Sequence, residues 1–230
     1  MKVLAIDTSN YVLGVAIVDE EKVIGEVITN LPKNHSVRVM PTIEKLMNEC
    51  GIKPKELEKI VVAMGPGSYT GVRIGVTIAK TLAWSLQIPL VGVSSLEVVA
   101  ANGRFFNGFI SPLFDARRGQ VYTGLYQFEG KTLSCVEEDK IILLSDWLQE
   151  LKKKETPVLF IGNDIVIHNE QIETDLKEFA YVAPYTDWNP RPSELADLGM
   201  KKEPVDIHTF VPNYIRLAEA EANWLGKRQG

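Results

Sequence analysis

The sequence predicts an α/β fold built on a partly parallel sheet. Three observations carry this expectation. Short apolar runs alternate with stretches of helical periodicity through the first hundred residues. The first three of those runs are separated only by turn residues, as in a meander of antiparallel strands. A glycine-rich segment, Gly65 to Gly75, then joins one apolar run to a long helical one. Strand–helix–strand alternation requires crossover connections, which make the joined strands parallel.

Taken in order, Val3 to Ile6 reads as a short buried strand and Asp7-Thr8-Ser9-Asn10 as a turn. Leu13 to Val18 and Val23 to Thr29 are the next two strands, parted by the polar turn Asp19 to Lys22. Helical spacing of Val39, Ile43, Leu46 and Met47 predicts a helix over Ser36 to Cys50. Gly51 suits its C-terminal stop, and Pro41 marks a kink or the true first turn. Pro54 opens a short helix through Lys59, and Ile60 to Met64 is again a strand. The glycine segment leads into a helix ending near Gln87, and Ile88 to Val93 is the strand after it. The glycines and polar residues of 102–108 mark a boundary between two units, 1–105 and 106–230. In the second unit, Ile110 to Asp115, Val121 to Phe128 and Val158 to Ile161 read as strands. Helices are expected over Asp146 to Lys152, from Ser193, and over Tyr214 to Leu225, the last packing back on the first unit.

With 230 residues, 45% hydrophobic and 24% charged, the composition is that of a globular protein. No apolar run approaches the roughly 20 residues that span a bilayer. The first residues go straight into a strand, and the two cysteines, Cys50 and Cys135, form no motif. A reduced, cytoplasmic setting is the expectation. A formal net charge of −5 argues against a broad nucleic-acid footprint, which needs a basic face.

The glycine segment breaks the usual phosphate-loop rules. It matches neither G-x-x-x-x-G-K-[ST] nor G-x-G-x-x-G, because Thr70 stands where the third glycine belongs. Its helix carries small residues every fourth position: Gly71, Gly75, Ala79 and Ala83. Positions four apart share one helix face. A glycine inside a helix costs about 1 kcal/mol relative to alanine, so two in one row predict a close-approaching backbone. Arg73, Thr77, Lys80, Trp84 and Gln87 form a narrow polar stripe, with Trp84 suited to anchor an interface. Asp7-Thr8-Ser9 offers hydroxyls and turn amides to a phosphate, but an ordinary hairpin turn explains the same residues. His35, His168 and His208 have no ligand spacing, and Ser68 lacks a nucleophile frame. Asp115-Ala116-Arg117-Arg118-Gly119 reads as a carboxylate or phosphate clamp, or as a turn held by local ion pairs.

Together, Ala5-Ile6-Asp7-Thr8-Ser9, His35-Ser36, the whole glycine segment, Ser94-Ser95-Leu96-Glu97 and Asp115-Ala116-Arg117-Arg118 resemble the bacterial TsaB (YeaZ) family of tRNA threonylcarbamoyladenosine biosynthesis proteins. The resemblance implies an actin-like ATPase-type (ASKHA) fold of two related lobes. It also implies a non-catalytic scaffold subunit that heterodimerises with TsaD, the paralogue that threonylcarbamoylates the adenosine next to the anticodon. TsaE, an ATPase, would join the larger complex, the isolated chain would homodimerise, and tRNA would be touched only indirectly. No metal or cofactor is implied for the chain alone, with ATP or ADP confined to the assembled complex. Ser95 and Val99 stand where the catalytic relative has its metal-binding histidine pair, and valine cannot ligate a metal. The implied interface comprises His35, Arg38, Gly71, Arg73, Gly75, Ala79, Lys80, Ala83 and Trp84. The alternative expectation is a nucleotide-binding ATPase or kinase-like protein with Asp7, Thr8 and Ser9 lining an actin-like cleft. A peptidase is the third, and the missing histidine pair argues against it.

Overall fold

The computed structural model describes residues 1–31 and 34–215. Two five-stranded sheets share one plan. In the first, the strands β1 (Val3–Asp7), β2 (Val12–Val18), β3 (Val23–Asn30), β4 (Lys59–Ala63) and β5 (Leu90–Val93) lie in the order β3-β2-β1-β4-β5. The meander β1-β2-β3 is antiparallel, while β4 and β5 add in parallel on the other side of β1. In the second, β6 (Phe109–Asp115), β7 (Gln120–Glu129), β8 (Thr132–Leu143), β9 (Val158–Ile161) and β10 (Ala180–Val182) lie in the order β10-β9-β6-β7-β8. Their pairings repeat the same pattern of two antiparallel and two parallel neighbours. The chain therefore folds as two related lobes with mixed sheets flanked by helices, the actin-like ATPase-type plan.

β1 and β4 are continuous apolar runs because both faces of the first sheet are covered. On one face, α1 (Val39–Cys50) and α2 (Tyr69–Leu86) pack over Leu4, Ile6, Leu13, Val15, Ile60 and Val62. On the other, α3 (Ser95–Ala101) and α6 (Pro192–Met200) cover Val3, Ala5, Ala16, Val61 and Val91. Helices α4 (Leu144–Lys152) and α5 (Ile165–Leu176) contribute Trp147, Leu148 and Ile172 to the core of the second lobe.

Several boundaries differ from expectation. The helix expected over Ser36 to Cys50 begins as a single 3₁₀ turn, His35–Val37, capped by Asn34, and α1 proper starts at Val39. Pro41 thus sits in the first turn, where its missing N–H leaves no intrahelical bond unmade. Gly51 ends α1 with left-handed backbone, φ 66°. The helix expected after Pro54 is one 3₁₀ turn ending at Glu56, and Lys59 already belongs to β4.

The division at 105/106 also needs correction. Residues past 190 return to the first lobe: α6 seals the second face of its sheet, and Val205 bonds the edge of β5 through its N–H to Leu90 O (2.9 Å). Contact there is close, since a Cβ on Gly199 would fall 2.3 Å from Val61 Cγ1. The cause is area: without Leu195, Ala196 and Leu198 the apolar row of β1, β4 and β5 would face water. The helix expected over 214–225 lies outside the described residues from 216 onward.

Candidate interaction surface

The glycine segment leaves β4 and turns into α2 directly against the β1–β2 turn. Ser68 caps α2, its Oγ accepting from Gly71 N, and Ser68 N donates to Ser9 O at 2.7 Å. The close-approaching backbone predicted from the small-residue row is found, and it belongs to the same lobe. A Cβ on Gly67 would lie 2.1 Å from Ser9 O, and one on Gly71 2.2 Å from Thr8 O. A Cβ on Gly75 would lie 2.5 Å from Thr8 Oγ1. Ala79 and Ala83 are fully buried in the core beneath α2. Gly71, Gly75, Ala79 and Ala83 therefore face inward and are removed from the implied interface. Spacing correctly located a tight contact but not its partner, because an inward and an outward small-residue row have the same period.

The same contact closes the Asp7-Thr8-Ser9 turn. All three residues are buried. Asp7 Oδ1 accepts from Ser9 N (2.8 Å) and Ser9 Oγ (2.7 Å), and Thr8 Oγ1 donates to Gly71 O (2.7 Å). The hydroxyls that would cradle a phosphate are spent locally, so the turn is the ordinary hairpin reading rather than an open cleft. Asp7 Oδ2 has no hydrogen-bond partner, and burial pushes the carboxyl above its usual range despite the Ser9 bonds.

Two further predicted interface residues also turn inward. His35 Nε2 donates to Asn10 O at 2.7 Å, and Arg38 Nη2 donates to Thr29 Oγ1 at 2.5 Å. They fasten the 3₁₀ turn and α1 to the β1–β2 turn and to β3. Lys80 is half-buried and donates through Nζ to Phe210 O at 2.7 Å, holding the late segment 205–214 against α2.

What remains outward is the opposite face of α2. Arg73, Thr77 and Trp84 are exposed, Trp84 by 59%. The predicted polar stripe is thus real at these positions and at Gln87, and it lies opposite the small-residue row. Tyr69 joins it: Arg73 Nη1 donates to Tyr69 Oη at 2.8 Å, and the guanidinium lies 5.2 Å from that ring's centre. A groove of about 420 Å³ runs along this face, lined by Ser36, Tyr69, Thr70, Arg73, Ile74, Thr77 and Ile78. Val37, next to the lining Ser36, and Met40 in the first turn of α1 are exposed as well. Sequence reasoning missed Tyr69, Val37 and Met40, although Tyr69 stands inside the glycine segment where an aromatic serves no turn. The surface offers an aromatic, an indole, a guanidinium and aliphatic walls, a composition typical of interface cores.

Ser95 and Val99, both buried, occupy the α3 positions discussed above. Ser95 Oγ accepts from Gly65 N at 3.0 Å and Ser95 N donates to Gly65 O, so the serine ties α3 to the glycine segment. Among the described residues, no group of three or more His, Cys, Asp or Glu side chains is placed to hold a metal ion. No helix of the described residues is long and apolar enough to cross a membrane.

Comparison with known proteins gives this geometry a lineage. The family model described as TsaD, tRNA N6-adenosine threonylcarbamoyltransferase, matches residues 22–224. A Bacillus subtilis protein named tRNA threonylcarbamoyladenosine biosynthesis protein TsaB is 60% identical over 225 residues, covering 98% of each chain. The Escherichia coli protein of the same name is 32% identical over 152 residues, 65% of each chain. Among solved structures, YeaZ from Pseudomonas aeruginosa superposes with a TM-score of 0.76 at 22% identity, covering 93% of this chain and 99% of that one. That likeness shows the shared fold. Near-complete coverage at 60% identity, on this two-lobed frame, makes the chain a member of the TsaB family of tRNA threonylcarbamoyladenosine biosynthesis proteins.

Proposed function

We propose that this protein is a non-catalytic subunit in threonylcarbamoylation of the adenosine next to the tRNA anticodon. It acts by presenting the outer face of α2, with the start of α1, to its catalytic paralogue TsaD. The observation that carries this reading is the exposed row Tyr69, Arg73, Thr77 and Trp84 around an apolar groove on the long helix of the first lobe. An uncovered apolar face of this kind favours association with another protein surface. Isolated copies use the same face to pair with each other, and TsaD displaces that pairing. TsaE joins the assembled complex, nucleotide binds only there, and tRNA is held by the partners, in keeping with the acidic net charge. The setting is the cytoplasm.

The closed Asp7–Ser9 turn favours this reading over a nucleotide-driven ATPase. Its carbonyls are pressed against Gly67 and Gly71, where phosphate oxygens would have to enter.

Trp84→Glu combined with Thr77→Arg tests the assignment, since both side chains point to solvent and neither supports the core. The variant is expected to keep its melting temperature, to lose co-elution with TsaD, and to lose tRNA modification in a reconstituted system. Intact co-elution would move the interface elsewhere. Modification by this chain without TsaD would overturn the non-catalytic role.

A further inference from the structure

Residues 205–214 carry no helix or strand of their own, yet they are fitted closely to the first lobe. Val205 N bonds Leu90 O (2.9 Å) at the edge of β5. The Phe210 ring is buried, and a Cβ on Gly92 of β5 would fall 2.6 Å from its Cζ. Beyond it, Asn213 N donates to Met64 O (2.7 Å), and Asn213 O lies 2.7 Å from where a Gly65 Cβ would stand. This strap runs along the flank of α2 and reaches its first turn. There the Tyr214 ring rests on Tyr69, with 5.1 Å between centres.

Lys80 is the α2 side chain that fastens the strap. Its ammonium donates to Phe210 O (2.7 Å) and, at longer range, to His208 O (3.4 Å). A segment without a hydrogen-bond ladder depends on such points of attachment, because residues left loose regain backbone entropy. Tyr69 is where the strap meets the groove. It lines the groove, stacks with Tyr214 and accepts a hydrogen bond from Arg73 Nη1 at 2.8 Å. An exposed side chain hops among rotamers unless something packs against it. Here Tyr214 packs against the Tyr69 ring, and the Arg73 guanidinium lies 5.2 Å from the ring's centre. Side chains ordered before association lose less entropy when they bind.

We infer that Lys80 is a positioning residue for partner docking. It pins the strap, so that Tyr214 sets the Tyr69–Arg73 pair in the geometry the catalytic paralogue meets on α2. This rests on the docking surface proposed above and adds to it the segment that orders it. When Lys80 lets go, the end of the strap loosens and Tyr69 and Arg73 sample other rotamers. Only a fraction of molecules then presents a ready surface, and apparent affinity falls by that fraction.

A double-mutant cycle, read by titration calorimetry of the full chain with TsaD, tests this. Lys80→Met keeps the apolar stem and removes the donor. Tyr214→Ala removes an exposed ring and leaves the clamp. Each is expected to weaken TsaD binding about tenfold, the effect of a competent fraction near one tenth. Together they should weaken it no more than either alone, since both act through Tyr69. Lys80→Arg keeps a donor and should bind nearly as the unaltered chain does. In the isolated chain, Lys80→Met should also speed amide exchange at Asn213 about tenfold, as its bond to Met64 O opens more often. Full affinity in either single variant, losses that multiply in the double variant, Lys80→Arg as weak as Lys80→Met, or unchanged Asn213 exchange would each overturn the proposal. An unaltered chain that fails to bind TsaD defeats the docking surface itself. An unaltered chain and single variants that all bind equally well defeat only the role of the strap.

Discussion

Gly75 has no room for a side chain. The Thr8 hydroxyl occupies the space a Cβ would need, and Thr8 is held there by its bond to Gly71 O. Gly75→Leu is therefore expected to break the lobe, not merely an interface. Overpacking of this kind typically costs 1–3 kcal/mol, and forcing α2 off the β1–β2 turn adds the loss of a buried hydrogen bond, about 1 kcal/mol. Urea unfolding should show a midpoint lowered accordingly. An unchanged midpoint with lost association would return the small-residue row to the interface. At the same scale, Lys80 shows how a residue's type misleads. A lysine on a polar helix stripe reads as solvent-facing, yet its ammonium is a clamp on the Phe210 carbonyl. Nothing in the local pattern distinguishes these, because the carbonyl arrives from 130 residues away.

Helix α2 is the element on which both faces matter. Its inner row is fixed by the β1–β2 turn, its outer row is the proposed docking surface, and its flank carries the 205–214 strap. Helix α6 shows the opposite economy, a short element with one task. Leu195 is fully buried between β1, β4 and β5 and α3, among Val3, Ala5 and Val61. Leu195→Ala is expected to destabilise the protein by about 2–5 kcal/mol, the range for a buried leucine truncated in a core that cannot collapse. Because α6 covers the first lobe, hydrogen exchange should rise in β1 and β4 rather than in β6 and β9. Greater opening in the second lobe would contradict the reassignment of α6. Its helical character was legible from Pro192 and the following residues, but its destination was not.

At the scale of the whole molecule, a half-buried acid helps to join the lobes. Asp139 on β8 accepts one hydrogen bond from Ser94 Oγ, in the cap of α3, and another from Tyr126 Oη on β7. Burial pushes the Asp139 carboxyl upward, opposed by those two hydroxyl donors, and raises the Tyr126 phenol as well. Asp139→Ala would strand the buried Tyr126 hydroxyl and loosen the Ser94 bridge. A loss of about 1–3 kcal/mol is expected, the cost of leaving a buried donor unpaired. Calorimetry should show a lowered and broadened transition as the lobes uncouple. Replacing Tyr126 by Phe at the same time should recover part of the loss. A single unshifted transition would mean that the Asp139 bridge contributes nothing to holding the lobes together.

Strand–helix order in the first hundred residues, the tight backbone approach marked by the glycine segment and the family motifs were all legible in the sequence, because they depend on local turn chemistry and side-chain period. The strands β8 and β10 and the helix α5 were not: β8 is a half-exposed edge with weak alternation, β10 is three residues long, and α5 lacks a strong apolar stripe. The tertiary structure alone decided which side of α2 is buried, that the Asp7–Ser9 turn is closed, and that residues past 190 return to the first lobe. Each of these turns on which distant backbone fills a given space. Periodicity reports that a face is special, and only packing reports what lies against it.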